Sequence, residues 1–137
     1  MSEIVITKNL ISKLFFKYNK EYFDNKLQLP NFDILHSKRL LGQFRTKEHK
    51  KPKILITKDV EWTENDLRDI LVHEMVHLYV WEKTGKNNNK HNGLFKKVCA
   101  ELKEKYGIDV RRPDILTRDY LSFWQLFKKI IMKKPTN

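Results

Sequence analysis

The residues from Leu71 to Leu78 combine a run of apolar side chains with the motif His-Glu-x-x-His. In an α-helix, residues four apart lie on one face, so His73 and His77 lie one above the other. Apolar residues surround this motif on nearly every side, and a helix of that kind is buried. Burying two imidazoles and the carboxylate of Glu74 is costly unless a partner compensates their polar atoms. The sequence therefore predicts a fold built around one buried helix, with a metal ion as that partner.

The spacing of these polar groups is typical of a zinc hydrolase. Two imidazoles one helical turn apart can hold one Zn²⁺ at Zn–N distances of about 2.0–2.1 Å. Glu74 points to the neighbouring face, from which its carboxylate can reach a water molecule on the metal and act as general base. A catalytic zinc keeps three protein ligands and one open position. The motif supplies two ligands, so a third is expected elsewhere in the chain.

His91 is the first candidate for this third ligand. A second helix is predicted over about residues 92–106, and Phe95 belongs to its inward stripe. His91 lies four residues before Phe95 and so extends that stripe by one turn. Glu101 and Glu104 on the same helix are alternatives, as in zinc peptidases whose third ligand is a glutamate, but His91 is the simpler choice.

Other zinc patterns fit this chain less well. A metzincin motif would continue with Gly at position 80 and His at position 83, where this chain has Val80 and Lys83. Peptide deformylases take a ligand from an upstream cysteine, whereas the single cysteine here, Cys99, follows the motif. A buried core thiol is the favoured interpretation of Cys99. His36 and His49 lie outside any ligand spacing.

The rest of the chain predicts an α+β fold in which the motif helix is central, as in zincins. Helices are predicted over residues 7–25, from Thr63 to Gly85, over 92–106 and over 119–132. Strands are predicted over 32–36, 39–45 and 52–57, and their simplest arrangement is a small antiparallel three-stranded meander packed on the helices. Gly42, inside the second strand, indicates a bulge or a close approach of the backbone to a neighbour.

Length and composition predict one domain. A chain of 137 residues can bury a hydrophobic core. We expect a single domain over 1–137, with its core at about 7–112 and a basic amphipathic helix at about 119–132. One cysteine excludes an internal disulfide framework, and no apolar run reaches the ~18 residues of a membrane span. The N-terminus lacks the pattern of a signal peptide, so a cytoplasmic location is expected.

The chain is strongly basic, with 28 Lys and Arg residues against 17 Asp and Glu residues and a net charge of +11. Such a charge predicts a nucleic-acid partner, and it is equally typical of a lysine-rich proteome. A basic DNA-binding protein that has a zinc site but does not cleave proteins is therefore the alternative function.

A peptidase also needs a hydrogen-bond donor for the oxyanion and a strand edge for its substrate. Arg45, Tyr79 and Tyr120 are the candidates for the oxyanion donor. Either strand 39–45 or strand 54–57 could pair with an extended substrate peptide.

Several segments together resemble the SprT-like zinc metallopeptidase family, which includes Spartan. They are Leu14-Phe15, Tyr22-Phe23, Leu27, Lys38-Arg39-Leu40-Leu41-Gly42, Ile54-Leu55-Ile56, 71–77 and 91–96. The resemblance covers roughly residues 10–112. Its last segment is similar to the His-Gly-x-x-Phe signature of the family, with Asn92 standing between His91 and Gly93.

The resemblance implies a cytosolic zinc endopeptidase in which His73, His77 and His91 hold the metal and Glu74 is the general base. In Spartan-type members it further implies cleavage of proteins crosslinked to DNA, with DNA binding that switches the protease on. Single-stranded DNA on the basic surface is the nucleic-acid partner that we expect, and no membrane partner is expected.

Overall fold

A computed structural model of the chain describes residues 3–87, 90–91 and 93–111. Its elements follow in the order α1 (Lys8–Phe23), β1 (Asn31–Leu35), β2 (Gly42–Arg45), β3 (Lys53–Thr57), α2 (Glu64–Thr84) and α3 (Leu94–Tyr106). The α+β class predicted from the sequence is confirmed. The predicted helix over 119–132 lies outside the described residues, and the single domain over 1–137 stays a prediction.

Local signals set the helix ends close to where they are predicted. Thr7 Oγ1 accepts a hydrogen bond from Leu10 N at 3.0 Å at the start of α1. Thr63 Oγ1 accepts one from Asp66 N at 3.0 Å at the start of α2. Helix α2 ends at Gly85, which has a left-handed backbone with a φ of 73°. These caps satisfy backbone groups that a helix end would otherwise leave without partners.

The predicted antiparallel meander is wrong, because the sheet is mixed. The strand order is β1-β3-β2, with β1 parallel to β3 and β2 antiparallel to β3. Strand β3 is the most buried of the three, since Ile54 and Ile56 have no exposed surface. The strand with the largest apolar surface takes the central place, and residues 36–41 carry the chain across it from β1 to β2. This crossing spans two strand spacings, or roughly 10 Å.

Helix α2 lies against the sheet and contacts β2, β3, α1 and α3. Every residue from Ile70 to Leu78 on this helix is buried, so the predicted central buried helix is confirmed. The metal motif therefore lies in the hydrophobic core rather than on a surface helix. No helix among the described residues is long and apolar enough to cross a membrane.

A buried asparagine fixes the turn that follows α1. Asn19 Nδ2 donates to the backbone oxygen of Leu27 at 3.0 Å, and Asn19 Oδ1 accepts from the backbone N–H of Leu27 at 3.2 Å. Asn19 is only 6% exposed. Its amide thus pairs both backbone groups of Leu27 in a place with little access to water, which directs the chain from α1 towards β1.

We expect Asn19→Ala to lower the free energy of unfolding by about 1–3 kcal/mol, because both backbone groups of Leu27 would lose their partner in a buried place. Urea denaturation measures the loss. Asn9→Ala, at an exposed position of the same helix, is the matched control and should change stability by less than about 0.5 kcal/mol. Equal losses in the two variants would contradict this role of Asn19.

Candidate metal centre

The structure brings together the three histidines that the sequence predicts as metal ligands. His73 and His77 are buried on α2, and His91 lies just before α3 with an exposed side. The Nε2 atom of His91 lies 3.1 Å from Nε2 of His73 and 3.2 Å from Nε2 of His77. The ring nitrogens of the three residues therefore converge on one point at the edge of the core.

The spacing of these nitrogens fits a tetrahedral zinc ion. Two ligands of such an ion, each about 2.0–2.1 Å from it, lie roughly 3.3 Å from each other. The observed separations of 3.1 and 3.2 Å are close to that value. A single hydrogen on His91 Nε2 cannot serve both contacts, whereas a cation between the rings accepts all three lone pairs. Imidazole ligands suit zinc and also copper, iron or nickel, so the donor set favours a transition metal.

A backbone carbonyl orients the first of the three rings. Nδ1 of His73 lies 2.7 Å from the oxygen of Val110. A carbonyl oxygen only accepts hydrogen bonds, so Nδ1 carries the hydrogen and Nε2 presents its lone pair to the other two rings. Such outer hydrogen bonds fix the tautomer and the direction of metal-binding histidines. Val110 follows α3, and this contact could not be predicted from the sequence because every residue has a backbone carbonyl.

The third histidine reaches the site from a loop. Helix α3 begins at Leu94, and its N-cap is Gly93 with a φ of 56°, so His91 precedes the helix and does not continue its regular turns. A positive φ of this kind is open mainly to glycine. The His91 ring still packs against Phe95, with ring centres 4.8 Å apart. The residue is the predicted one, although the backbone brings it to the site by a different path.

Phe95 supports all three imidazoles. Its ring centre lies 5.0 Å from that of His73 and 4.5 Å from that of His77. Phe95 is 2% exposed. The sequence pattern identifies it as core of α3, and the structure adds that this part of the core is the wall of the histidine cluster.

Glu74 lies beside the cluster and faces strand β2 at Gly42. Glu74 has no exposed surface. A Cβ atom built on Gly42 would lie 3.1 Å from Oε2 of Glu74 and 2.9 Å from Cγ2 of Ile70. The close approach predicted at Gly42 is therefore confirmed, and glycine is what allows the strand to lie against the carboxylate.

Adding a methyl group at this contact should disturb both packing and the position of the carboxylate. We expect Gly42→Ala to lower the free energy of unfolding by about 1–3 kcal/mol, as overpacking of a filled core does. Thermal unfolding followed by circular dichroism measures the change. Ala100→Gly, at an exposed position inside α3, should cost up to about 1 kcal/mol from helix propensity alone. A Gly42→Ala protein as stable as the original would contradict the close approach.

The structure also decides between the two strands considered for substrate pairing. Strand β3 is flanked by β1 and β2, so the strand at 54–57 has no free edge. Strand β2 is at the edge of the sheet, and its Phe44 ring is parallel to the His77 ring at a centre distance of 6.4 Å. The strand edge beside the histidines is therefore that of β2.

The three candidates for the oxyanion donor are Arg45, Tyr79 and Tyr120. Arg45 is exposed and donates from Nε to Gln43 Oε1 at 2.7 Å, and Tyr79 packs on Phe23 of α1 at 6.3 Å. Tyr120 lies outside the described residues. Neither contact places Arg45 or Tyr79 as an oxyanion donor, so that role stays a prediction.

The two glutamates considered as alternative ligands, and the two remaining histidines, are not part of the cluster. Among the described residues, the one group that could hold a metal contains neither Glu101 nor Glu104, and both are exposed on α3. His36 and His49 are exposed.

The single cysteine is a core residue. Cys99 is 1% exposed, and burial raises the pKa of its thiol to about 12. A thiol in such a setting stays protonated at neutral pH and is a poor metal ligand.

Comparison with known proteins agrees with this geometry. The model of the SprT-like family matches residues 11–114, which confirms the resemblance predicted over residues 10–112. A comparison with curated proteins finds no match. The matched segment contains α2, the loop with His91 and α3, and it covers more than half of the chain: the chain belongs to the SprT-like family.

Proposed function

We propose that this chain is a zinc-dependent endopeptidase in which His73, His77 and His91 hold the metal and Glu74 is the general base. The observation that carries the proposal is the convergence of three imidazole Nε2 atoms at distances of 3.1 and 3.2 Å. When bound there, zinc supplies a Lewis acid that polarises a carbonyl group and lowers the pKa of water.

The number of ligands supports catalysis over a purely structural role. Structural zinc sites are usually closed by four protein ligands, whereas catalytic sites keep three and an open position. Among the described residues, the cluster consists of three histidines with no cysteine or carboxylate as a fourth member. His91 is the exposed member, so a substrate would approach from its side.

Two residues of the protein would carry out the remaining tasks, which are proton transfer and the orientation of a metal ligand. The carboxylate of Glu74 takes a proton from the attacking water and passes it to the nitrogen of the leaving amine. Glu74 extends from α2 towards Gly42 and is fully buried there. This burial holds the carboxylate in one position and keeps bulk water away from it. The carbonyl oxygen of Val110 holds the His73 ring in the orientation in which Nε2 is free of hydrogen.

The substrate class that we propose is protein associated with or crosslinked to DNA, in a reducing cytoplasm. The net charge of +11 supports contact with nucleic acid. The competing function is a basic DNA-binding protein whose zinc takes no part in cleavage. The two functions differ in one outcome, which is whether any protein is hydrolysed.

Metal removal tests the proposal. The purified chain would be assayed on unfolded casein and on a basic DNA-binding protein, each with and without single-stranded DNA. Stripping the metal with a chelator should lower cleavage at least about 100-fold, since a metal ion supplies several kcal/mol to such a reaction. Added Zn²⁺ should restore it, and added Mg²⁺ should not. Cleavage that survives complete removal of the metal would contradict the proposal, and DNA binding without any cleavage would favour the competing function.

A further inference from the structure

A pocket lies one helical turn beyond the metal centre along α2. Its volume is about 570 Å³, and it lies between the β2–β3 loop and the C-terminal half of α2, where Leu78 and Trp81 line it. Trp81 follows His77 by four residues and so lies on the same face, about 6 Å further along the helix. Phe44 contacts both rings, with centre distances of 6.4 Å to His77 and 6.3 Å to Trp81. The pocket and the metal centre are therefore neighbours, separated by Phe44.

Strand β2 leads from the metal centre to this pocket. Thr57 N donates to Leu41 O at 3.0 Å, so the backbone groups of Leu41 point towards β3. Along an antiparallel ladder, the residues of a strand point alternately towards and away from the partner strand. The backbone groups of Gly42 and Phe44 therefore point away from β3, towards the free edge. Gly42 lies against Glu74, and Thr46, just past the end of β2, already lines the pocket.

One of these edge groups already has a side-chain partner. Asn87 Nδ2 donates to the backbone oxygen of Phe44 at 3.3 Å, from the segment that leads to His91. The side-chain amide of Asn87 thus donates to the same oxygen that would accept a hydrogen bond from the backbone N–H of a paired peptide. The edge of β2 is therefore able to accept an amide donor from outside the sheet, as pairing with an extended peptide requires.

The rim of the pocket carries an excess of positive charge. Lys47, Lys50 and Lys51 line it, and within the described parts of the chain none of the three forms an ion pair. Its two acidic residues are both engaged. Glu82 Oε2 accepts from the backbone N–H of Gln28 at 3.0 Å, and Glu48 Oε1 lies 3.5 Å from His49 Nε2.

We propose that this pocket is a subsite for acidic side chains of the substrate, an inference that rests on the proposed peptidase function. A peptide paired with β2 advances about 3.3 Å per residue. A residue four positions from the one opposite Gly42 would therefore lie opposite Thr46, at the pocket. There the lysines pair with its carboxylate, and Trp81 packs against its methylene groups. The backbone edge of β2, on which a peptide would replace the Asn87 amide at Phe44 O, favours a peptide over a nucleic acid, which has no matching N–H and C=O groups.

Peptide binding to the Glu74→Gln variant tests the subsite without cleavage. Three fluorescent peptides would share an apolar centre and carry flanks of Glu, Gln or Lys on both sides, with affinity measured by fluorescence anisotropy. We expect the Glu-flanked peptide to bind about tenfold more tightly than the Gln-flanked one, because each surface ion pair contributes up to a few-fold. Adding Lys47→Gln, Lys50→Gln and Lys51→Gln together should remove this preference.

The matched control removes three positive charges elsewhere. Lys13, Lys17 and Lys20 are exposed on α1 and do not line the pocket, so replacing all three by Gln should leave the preference intact. Equal affinity for the three peptides, or a preference that survives the pocket variant, would overturn the subsite. So would a pocket variant that loses affinity for oligo-dT, relative to the α1 variant, while its peptide preference is unchanged.

The result separates the subsite from the peptidase function. If the Glu74→Gln variant prefers the Glu-flanked peptide but the original chain hydrolyses no peptide, the proposed reaction is overturned and the subsite stands. Hydrolysis with no dependence on flanking charge would overturn the subsite and leave the reaction standing.

Discussion

Glu74→Gln is expected to abolish peptide hydrolysis while the chain keeps its zinc. The substitution preserves the size of a side chain that is fully buried against Gly42, but an amide cannot take a proton from the attacking water. General acid–base catalysis contributes about 10²–10⁴-fold to rate, so kcat should fall by about that factor. The nitrogens that could hold a metal belong to the three histidines, so the zinc content should not change. Cleavage of a fluorogenic peptide and elemental analysis of the same sample measure both effects.

The control for this variant is Glu101→Gln, which makes the same chemical change at an exposed position of α3. It should retain the activity and the zinc of the original chain. A Glu74→Gln protein that still cleaves peptides at the original rate would show that another group is the base. A variant that loses its zinc along with its activity would instead assign Glu74 to holding the metal.

His91→Ala is expected to have the second large effect, on metal affinity. His91 contributes one of three converging nitrogens, yet it is the exposed member of the cluster, so its removal costs little packing. Loss of an outer hydrogen-bond partner alone lowers metal affinity about 10–100-fold, and loss of a ligand should lower it by more than about 100-fold. Competition with a zinc-binding dye measures the affinity, and peptide cleavage at limiting zinc should fall in parallel.

His36→Ala and His49→Ala are the matched controls for this experiment. Both remove an exposed histidine that lies outside the cluster, so both should keep the original zinc affinity. An unchanged affinity in His91→Ala would contradict the assignment of His91. A similar fall in all three variants would point to general damage rather than to a lost ligand.

The parts of the fold that could be predicted from sequence are those with local causes. The threonine caps at Thr7 and Thr63 and the left-handed glycine at Gly85 act on their own helix ends, so a short window of sequence contains their signal. The strand order had no such signal. Which strand is central depends on how much apolar surface each one buries against distant elements, and Ile54 and Ile56 take that place in β3.

In the candidate site, too, the features with a local cause could be predicted from the sequence and the others could not. The spacing of His73 and His77 predicts their shared face, and the distance from His91 to Phe95 identifies His91. The path of the backbone to His91 depends on the positive φ at Gly93, which a helical pattern does not reveal. The contact of His73 with the Val110 carbonyl could not be predicted either, because every residue has a backbone carbonyl and residue type does not show which one accepts.

The zinc content of the purified chain tests the central claim most directly. The chain would be prepared without an affinity tag that binds metals, dialysed against metal-free buffer, and analysed for zinc and protein in one sample. A catalytic centre made of His73, His77 and His91 predicts about one zinc per chain, and a ratio near zero in His91→Ala prepared in the same way. A chain without zinc that also fails to take it up on addition, or equal zinc in the two proteins, would contradict the claim that these three histidines form a metal centre.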